Sequence, residues 1–402
     1  MTKQQRRAAS FLWWHSKSAL HLVAGAGSGK TTTLVQAVLE SRSQFNPERV
    51  VLLTFSRKAA AEMRARLLAR GMKAGFVGTI HALAWRLIRH RFEGSQILEN
   101  REQVLSEIVR DYFPQWSHIP ASFLVTSPII PPEEKNKIFL CYEMYKKNEK
   151  LVDFDDIIHL ATELEAGKNH FDVLFIDEFQ DTSPDQLAFI KSLKVAKLFA
   201  VGDDWQSIYK FRGADVNISL TFSTHFPDSA RLFLTKNFRS SRPIVSLSNK
   251  AIKLSDQYIP KRLRAKNSFG EKVVLYVHRG TEPYEALAAF QDYRRKISDK
   301  LSRTFLVRTN TLKNLISPRL TPGEEVLTIH AAKGLEFDHV VVFGIAPHIM
   351  PHRHGDHDEE VRILYVAMTR ARKSLAFVAF GNNEENPFFS FLVKHCTVKF
   401  LH

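Results

Sequence analysis

The sequence predicts an α/β protein built on two parallel sheets, and three observations lead to this prediction. Short apolar runs alternate with segments of helical periodicity in both halves of the chain. A glycine-rich turn lies between the first apolar run and the next helical segment, and a later apolar run ends in two adjacent acids. Parallel strands, which helices cover on both faces, have such nearly continuous apolar runs.

The first half of the chain contains the elements of one sheet. Residues 2–21 form an amphipathic helix and the approach to the first strand, and helices are predicted at 31–40, 56–71 and 81–91. The predicted strands are residues 20–24, 50–55, 76–80, 173–176, 198–202 and 232–234. Residues 92–152 are mostly helical but are interrupted by five prolines, which predicts an inserted helical subdomain.

The second half repeats this alternation and predicts a second parallel sheet. Its predicted helices are residues 282–300, 311–320 and 359–372. Its predicted strands are residues 273–277, 304–307, 326–329, 340–343 and 375–380.

The charge balance favours a polyanionic partner. Over 402 residues, 57 Lys and Arg face 42 Asp and Glu, a net charge of +15. Between Arg231 and Gly280, 12 basic residues face only Asp256 and Glu271. Nucleic acid therefore fits better than an acidic small substrate, although solubility alone is the simpler explanation of a net charge.

The cysteines and the hydropathy indicate a soluble cytoplasmic protein that does not bind membranes. The two cysteines, Cys141 and Cys396, are too few and too far apart for a disulfide framework or a zinc site. No stretch approaches the roughly 20 apolar residues of a membrane span, and no secretory signal precedes the first helix.

The glycine-rich turn is typical of a phosphate-binding loop. Its backbone amides and the start of the following helix would bind phosphates, the lysine would reach the outer phosphates, and the last threonine would ligate Mg²⁺. Alanine stands first where the strict motif has glycine. The residues are Ala24, Gly25, Ala26, Gly27, Ser28, Gly29, Lys30 and Thr31, and Thr32 follows them.

The strand at 173–176 ends in Asp177 and Glu178. At the carboxyl edge of a parallel sheet these acids would face a bound nucleotide. We expect Asp177 to hold Mg²⁺, and Glu178 to orient and deprotonate the water that attacks the γ-phosphate.

Nine segments, in order, resemble the motifs of the UvrD/Rep-type superfamily 1A DNA helicases. They are distributed over most of the chain, from Gln5 to Arg372. They are Gln5-Arg6, the loop AGAGSGKT, TFSRKAAAEM from Thr54, GTIHALA from Gly78, VLFIDEFQDTS from Val173, VGDDWQSIYKFRGAD from Val201, LTKNFRSSRPI from Leu234, LTIHAAKGLEFDHVVV from Leu327 and EEVRILYVAMTRAR from Glu359.

The resemblance implies two RecA-like P-loop NTPase domains that bind ATP between them while single-stranded DNA crosses both. Domain 1A would comprise residues 1–91 and 153–234, and domain 2A residues 235–402. Residues 92–152 would be a short 1B-like insertion. Only residues 321–325 separate a predicted helix from the next strand at the point where the family inserts a 2B subdomain, so that subdomain is expected to be absent.

The resemblance also implies further nucleotide contacts. Gln5 would read the adenine edge, which its amide can do with one donor and one acceptor, although a surface glutamine is the simpler interpretation. Thr32 replaces an arginine that often lies on the adenine. Phe238 would stack on adenine, Gln206 would sense the γ-phosphate, Arg239 and Arg370 would be arginine fingers, and Glu336 would lie at the ribose.

The same resemblance implies a DNA track. Phe55, Tyr209 and Phe211 would stack on bases, with Phe211 replacing the usual tryptophan. Thr79, His81, Arg212 and His330 would contact the backbone or the bases, although each histidine could instead be a buried structural residue.

These inferences predict an ATP- and Mg²⁺-dependent motor on single-stranded or tailed duplex DNA, moving 3′ to 5′ by resemblance and acting as a monomer. One alternative is a translocase that does not unwind duplex and serves a nuclease or repair factor. Another is a DNA-binding accessory subunit with a vestigial ATPase. The expected mark of the latter, loss of Lys30, Glu178 or an arginine finger, is not found.

Overall fold

The computed structural model describes residues 1–92, 94–121, 124, 127, 129–267, 269–297 and 301–401. The parts of the predicted insertion and of the predicted 282–300 helix that fall in the gaps lie outside the described residues.

The strands are β1 Ala19–Ala24, β2 Val50–Thr54, β3 Phe76–Thr79, β4 Gln96–Ile97, β5 Leu151–Val152, β6 Val173–Ile176, β7 Lys197–Gly202, β8 Ser229–Leu234, β9 Lys236–Ser241, β10 Arg264–Asn267, β11 Val274–His278, β12 Thr304–Val307, β13 Glu325–Thr328, β14 Phe337–Ile345, β15 Ala371–Phe380 and β16 Thr397–Leu401.

The helices alternate with these strands along the chain. In the described ranges none of them is both long enough and apolar enough to cross a membrane. The α-helices are α1 Lys3–Trp14, α2 Lys30–Ser41, α3 Arg57–Leu68, α4 Ile80–Ile88, α5 Arg101–Tyr112, α6 Pro132–Asn148, α7 Phe154–Glu163, α8 Pro184–Ser192, α9 Val216–Leu220, α10 Phe222–His225, α11 Arg242–Ala251, α12 Pro283–Lys296, α13 Asn310–Ile316, α14 His357–Thr369 and α15 Pro387–His395.

Two six-stranded sheets organise the molecule. The first has the order β3-β2-β6-β7-β1-β8 and the second the order β13-β12-β14-β15-β11-β16. Every neighbouring pair in both sheets is parallel. The predicted α/β class with two parallel sheets is therefore confirmed. We call the first sheet with its helices the first unit, and β9 to β16 with their helices the second unit.

Some predicted boundaries in the second unit were wrong. The helix expected at 359–372 ends at Thr369, and the chain turns directly into β15, whose Ala371 pairs with Phe337 of β14. The ribbon of β9 and β10 and the edge strand β16 were not predicted. The sequences of β9 and β10 are polar, KNFRSS and RAKN, and so lack the apolar signal of a buried strand.

The insertion packs on a small core of its own. Val104, Ile108, Ile138 and Tyr142 from α5 and α6 are buried there. The short strands β4 and β5 pair with each other in parallel, and Val152 of β5 is buried in a hydrophobic cluster of the first unit. Elsewhere, the chain passes from α13 and the 3-10 turn Ser317–Arg319 to β13 through residues 320–324 alone.

The two units share a packed interface. Ala26 from the loop after β1, with Trp205 and Ile208 from the loops after β7, belongs to the same buried cluster as the core of the second unit. The carboxyl ends of the central strands of the first sheet therefore face the second unit, where a ligand of a parallel sheet is expected to bind.

Candidate nucleotide site and aromatic track

The loop after β1 leads directly into α2, as a phosphate-binding loop requires. Gly27 and Gly29 have φ angles of 64° and 84°, a left-handed conformation that glycine adopts readily. A Cβ at Gly29 would lie 2.3 Å from Nε2 of Gln5. The hydroxyl of Ser28 is buried and has no hydrogen-bond partner among the described residues. The glycine-lined loop and this hydroxyl fit a phosphate group.

The lysine of the loop meets the acid pair at the end of β6. Nζ of Lys30 lies 3.0 Å and 3.2 Å from the two carboxylate oxygens of Glu178. Burial alone would lower the pKa of Lys30, but Glu178 and Asp203 raise it. Glu178 has a φ angle of 52°, which is uncommon for a residue other than glycine and typical of a constrained functional position.

The two acids have opposite pKa shifts. Burial and the neighbouring Glu178 raise the pKa of Asp177. Burial would also raise the pKa of Glu178, yet Lys30 and Lys333 lower it below its ordinary value. Asp177 thus lies partly buried beside a second carboxylate, and a bound cation would relieve that repulsion. Asp177 and the hydroxyl of Thr31 remain the predicted ligands of Mg²⁺, which prefers oxygen.

Residues of β9 in the second unit contact the loop directly. Nδ2 of Asn237 donates to the carbonyl of Ala26 over 2.8 Å, and the N–H of Phe238 donates to the carbonyl of Gly27 over 2.8 Å. A Cβ at Gly27 would lie 2.7 Å from Cβ of Arg239. Asn237 was not predicted as a site residue, although it lies inside the quoted motif LTKNFRSSRPI.

The residues expected around the base and the ribose lie beside this contact. The ring of Phe238 is 36% exposed. The amide of Gln5 is engaged within the protein, since Nε2 donates to the carbonyl of Ser28 over 3.0 Å and Oε1 accepts from the N–H of Thr2 over 2.8 Å. Thr32 is exposed in the first turn of α2. The structure thus brings the predicted base-reading residues to one end of the loop.

The two arginines of the second unit lie at the same interface. Nε of Arg239 donates to Glu336 over 2.6 Å. Arg370 is 1% exposed, and its Nη2 donates to Oε1 of Gln206 over 2.9 Å. Burial and the nearby Arg239 lower the pKa of Arg370 to about 9. The second unit therefore places Arg239 beside the phosphate-binding loop and Arg370 against Gln206 of the first unit.

The predicted aromatic track is formed by side chains from both units. The rings of Phe55 and Tyr209 are stacked, with centroids 4.9 Å apart and planes 8° apart. Phe211 meets the ring of His330 edge-on at 5.4 Å. The guanidinium of Arg212 lies 5.4 Å from the centroid of Tyr209 and 5.5 Å from that of Phe211. These five residues form one surface, which we call the aromatic track.

The other two predicted DNA residues have structural partners. Thr79 is the N-cap of α4, and its hydroxyl accepts from the N–H of Ala82 over 3.2 Å. His81 packs edge-on against Phe154 at 5.1 Å, and burial lowers its pKa. Burial and Arg308 lower the pKa of His330 to about 4. His81 thus has a contact within the first unit, and its contact with DNA stays a prediction.

A chain of polar contacts connects the acid pair to the track. Nε2 of Gln180 donates to Glu178 over 2.7 Å and to Asp181 over 3.1 Å. Nζ of Lys333 lies 2.5 Å from Oδ2 of Asp181 and 4.3 Å from the ring centroid of Tyr209. Gln180, Asp181 and Lys333 were not predicted as site residues, although all three lie within the quoted motifs.

Fold and site together define a P-loop nucleotide-binding protein whose site is shared between two parallel-sheet units. Residues 1–118 and 131–227 match the UvrD/REP helicase N-terminal domain, and residues 322–382 match the UvrD-like helicase C-terminal domain. The chain belongs to the UvrD/REP helicase family, as its motifs predicted.

Curated relatives support this assignment. DNA helicase II of Escherichia coli (strain K12) is 33% identical over 300 residues, which cover 65% of this chain and 42% of that protein. The ATP-dependent DNA helicase PcrA of Staphylococcus epidermidis (strain ATCC 12228 / FDA PCI 1200) is 29% identical over 302 residues, covering 65% and 41%. YjcD of Bacillus subtilis (strain 168) is 28% identical over 404 residues, covering 90% and 53%. The chain thus spans about half the length of these relatives.

Proposed function

We propose that this chain is an ATP-driven motor that moves along single-stranded DNA and unwinds tailed duplex in the 3′ to 5′ direction. The series of contacts from Glu178 through Asp181 and Lys333 to Tyr209 carries this proposal. These contacts connect Glu178, which would act as the base in hydrolysis, to the ring of Tyr209, on which a DNA base would stack. The direction rests on family resemblance alone.

ATP would lie in the loop between the two units, with its phosphates against the backbone amides and Lys30. Thr31 and Asp177 would hold Mg²⁺, which supplies positive charge to the phosphate oxygens. Arg239 and Arg370 would stabilise the charge that develops on the transferred phosphoryl group. Because these guanidiniums belong to the second unit, hydrolysis would require both units to be packed together.

The remaining nucleotide contacts are proposed from the resemblance. Gln206 would sense the γ-phosphate, Phe238 and Gln5 would hold the base, and Glu336 would lie at the ribose.

The pair of Lys30 and Glu178 suggests how the hydrolytic base is controlled. At 3.0 Å the two charges compensate each other, and the ammonium of Lys30 holds the pKa of Glu178 low. A phosphate that attracts Lys30 would weaken this pair. Glu178 would then become a stronger base beside the water that attacks the phosphate.

DNA would bind across the aromatic track. The rings of Phe55 and Tyr209, at 4.9 Å, leave no space for a base between them. Bases would therefore stack on the outer faces of the rings or separate them. Stacking on rings does not depend on base identity, which suits a motor that moves along any sequence.

A translocase that does not unwind duplex is the second candidate, and one observation favours it. Residues 320–324 alone join the helical turn after α13 to β13, at the place where the resemblance predicts that a large subdomain is missing. Such a chain would move single strands for a partner, such as a nuclease or repair factor. Both candidates are proposed to act as monomers.

The deciding experiment measures ATP turnover with and without single-stranded DNA, for the wild type and for Glu178→Gln. We expect DNA-stimulated turnover that the substitution abolishes while ATP binding is retained. Equal turnover without DNA would contradict the motor. Strand displacement on duplexes with a 3′ or a 5′ tail then separates a helicase from a translocase and determines direction.

A further inference from the structure

Lys261 of the second unit is buried against two carboxylates of the first. The side chains of Lys261, Asp203 and Asp204 are all 0% exposed. Nζ of Lys261 lies 3.0 Å from Oδ1 of Asp203 and 2.6 Å from Oδ1 of Asp204. The same ammonium lies 4.0 Å from the ring centroid of Trp205. Removing one partner of such a buried ion pair strongly destabilises a protein, because the remaining charge stays buried and unpaired.

The backbone around Lys261 fixes where the ammonium lies. The N–H of Ile259 donates to Oδ2 of Asp204 over 2.6 Å, and Nε1 of Trp205 donates to the carbonyl of Ile259 over 3.1 Å. Residues 255–263 are therefore held against the loop that follows β7. Lys261 reaches Asp203 only when this segment of the second unit is docked on the first.

Asp203 in turn determines the orientation of the Gln206 amide. Oδ2 of Asp203 accepts from Nε2 of Gln206 over 2.6 Å, while Oε1 of Gln206 accepts from Nη2 of Arg370 over 2.9 Å. A carboxylate only accepts and a guanidinium only donates. The amide therefore fits between them in a single orientation. The contacts form one chain from Lys261 through Asp203 and Gln206 to Arg370.

We propose that Lys261 is a positioning residue of the nucleotide site, because the charge of its ammonium, 3.0 Å from one oxygen of Asp203, keeps that carboxylate in the orientation in which its other oxygen sets Gln206 against Arg370. This inference rests on the proposed ATPase. Without the ammonium, the two neighbouring buried carboxylates repel each other and Asp203 turns away from its present plane. Gln206 and Arg370 then lose their alignment, although neither touches Lys261.

The test is Lys261→Met, which keeps an unbranched side chain and removes the charge. We expect kcat for DNA-stimulated ATP turnover to fall about 10- to 100-fold, a cost typical of misplaced reacting groups, with KM for ATP unchanged. Lys253→Met is the matched control, because Lys253 is exposed in the same unit. It should keep the wild-type kcat.

A double-mutant cycle separates positioning from a loss of folding stability. In a Gln206→Ala background, Lys261→Met should lower kcat no further, since the link to Arg370 is already broken. Asp203→Asn is a second variant in case Lys261→Met fails to fold. An amide at 203 would direct its own donor at either Lys261 or Gln206, so it should also lower kcat.

The outcomes distinguish a failure of the proposed ATPase from a failure of the role of Lys261. If the wild type shows no DNA-stimulated turnover, the proposed function fails and this inference fails with it. If the wild type is stimulated by DNA but Lys261→Met and Asp203→Asn keep the wild-type kcat, the inference alone is overturned. It is also overturned if the losses from Lys261→Met and Gln206→Ala multiply.

Discussion

Arg370 of the second unit donates from Nη2 to Oε1 of Gln206 of the first unit over 2.9 Å. The same guanidinium donates from Nε to the carbonyl of Val366 and from Nη1 to the carbonyl of Leu335, each over 3.1 Å. All three nitrogens are thus used at once. The fixed planar geometry of arginine suits this site, and a flexible lysine does not.

Arg370→Lys should therefore abolish most turnover despite its retained charge. Lysine has one nitrogen and cannot replace the three contacts, and an arginine finger contributes about 10³- to 10⁵-fold in related reactions. We expect kcat to fall by about 10³-fold, with nucleotide binding, measured by a fluorescent ATP analogue, largely kept. Arg262→Lys is the control, because Arg262 is exposed. A kcat near that of the wild type for Arg370→Lys would exclude the finger role.

Removing a ring from the aromatic track should weaken DNA binding. Phe55 is 40% exposed and stacked on Tyr209, so Phe55→Ala removes one stacking surface. The expected loss is about 1 to 3 kcal/mol of binding free energy for single-stranded DNA, measured by fluorescence anisotropy. Phe400→Ala, at a 57% exposed ring on β16, should leave affinity unchanged. Equal losses from both variants would indicate that the track is not the DNA surface.

The sequence alone predicts those site residues that belong to short contiguous motifs. The loop at 24–31 and the acid pair Asp177 and Glu178 are short motifs beside apolar strands, so residue type and spacing identify them. Lys261 and Asp203 are 58 residues apart, and only the docking of 255–263 brings them together. The role of such a residue depends on tertiary packing, which hydrophobic periodicity does not report.

Tertiary contacts also explain why the strand β9 was not predicted. Ser240 of β9 donates from its hydroxyl to the carbonyl of Ala371 over 2.6 Å, so this polar strand is held by side-chain contacts to β15. Neither pattern nor propensity predicts such a strand. The contact of Lys333 with Asp181 likewise joins two motifs from different units, and neither motif alone contains a signal for it.

An ion cluster around the buried ammonium of Lys146 joins the insertion to α7 of the first unit, and its loss should destabilise the protein. Nζ of Lys146 lies 3.1 Å from Asp153, 2.8 Å from Asp156 and 2.8 Å from Glu143, and its side chain is 4% exposed. Lys146→Met leaves the buried Asp153 without its cation, and breaking a buried ion pair costs about 3 to 5 kcal/mol. We expect a lower unfolding temperature by calorimetry. Lys147→Met, at an exposed neighbour, should unfold like the wild type.

The ion pair between Lys333 and Asp181 should make the coupling of the two sites depend on pH. Burial and the nearby Glu178 raise the pKa of Asp181, Lys333 opposes them, and the result is about 6. As the pH falls through this value, Asp181 takes up a proton and Lys333 loses its partner. Stimulation of ATP turnover by DNA should therefore decline between about pH 7 and about pH 5, because the link to Tyr209 weakens.

Folding stability should change in the opposite direction. A carboxylate whose folded pKa is raised stabilises the fold below its unfolded pKa of about 3.9, and this contribution is lost as the pH rises through the folded pKa. Asp181 thus opposes folding at neutral pH while it holds Lys333 against Tyr209. Asp181→Asn should weaken DNA stimulation at all pH values and remove its decline near pH 6. The pKa of His330 is about 4, so this histidine does not change charge in the same range. A variant that keeps the decline would place the titrating group elsewhere.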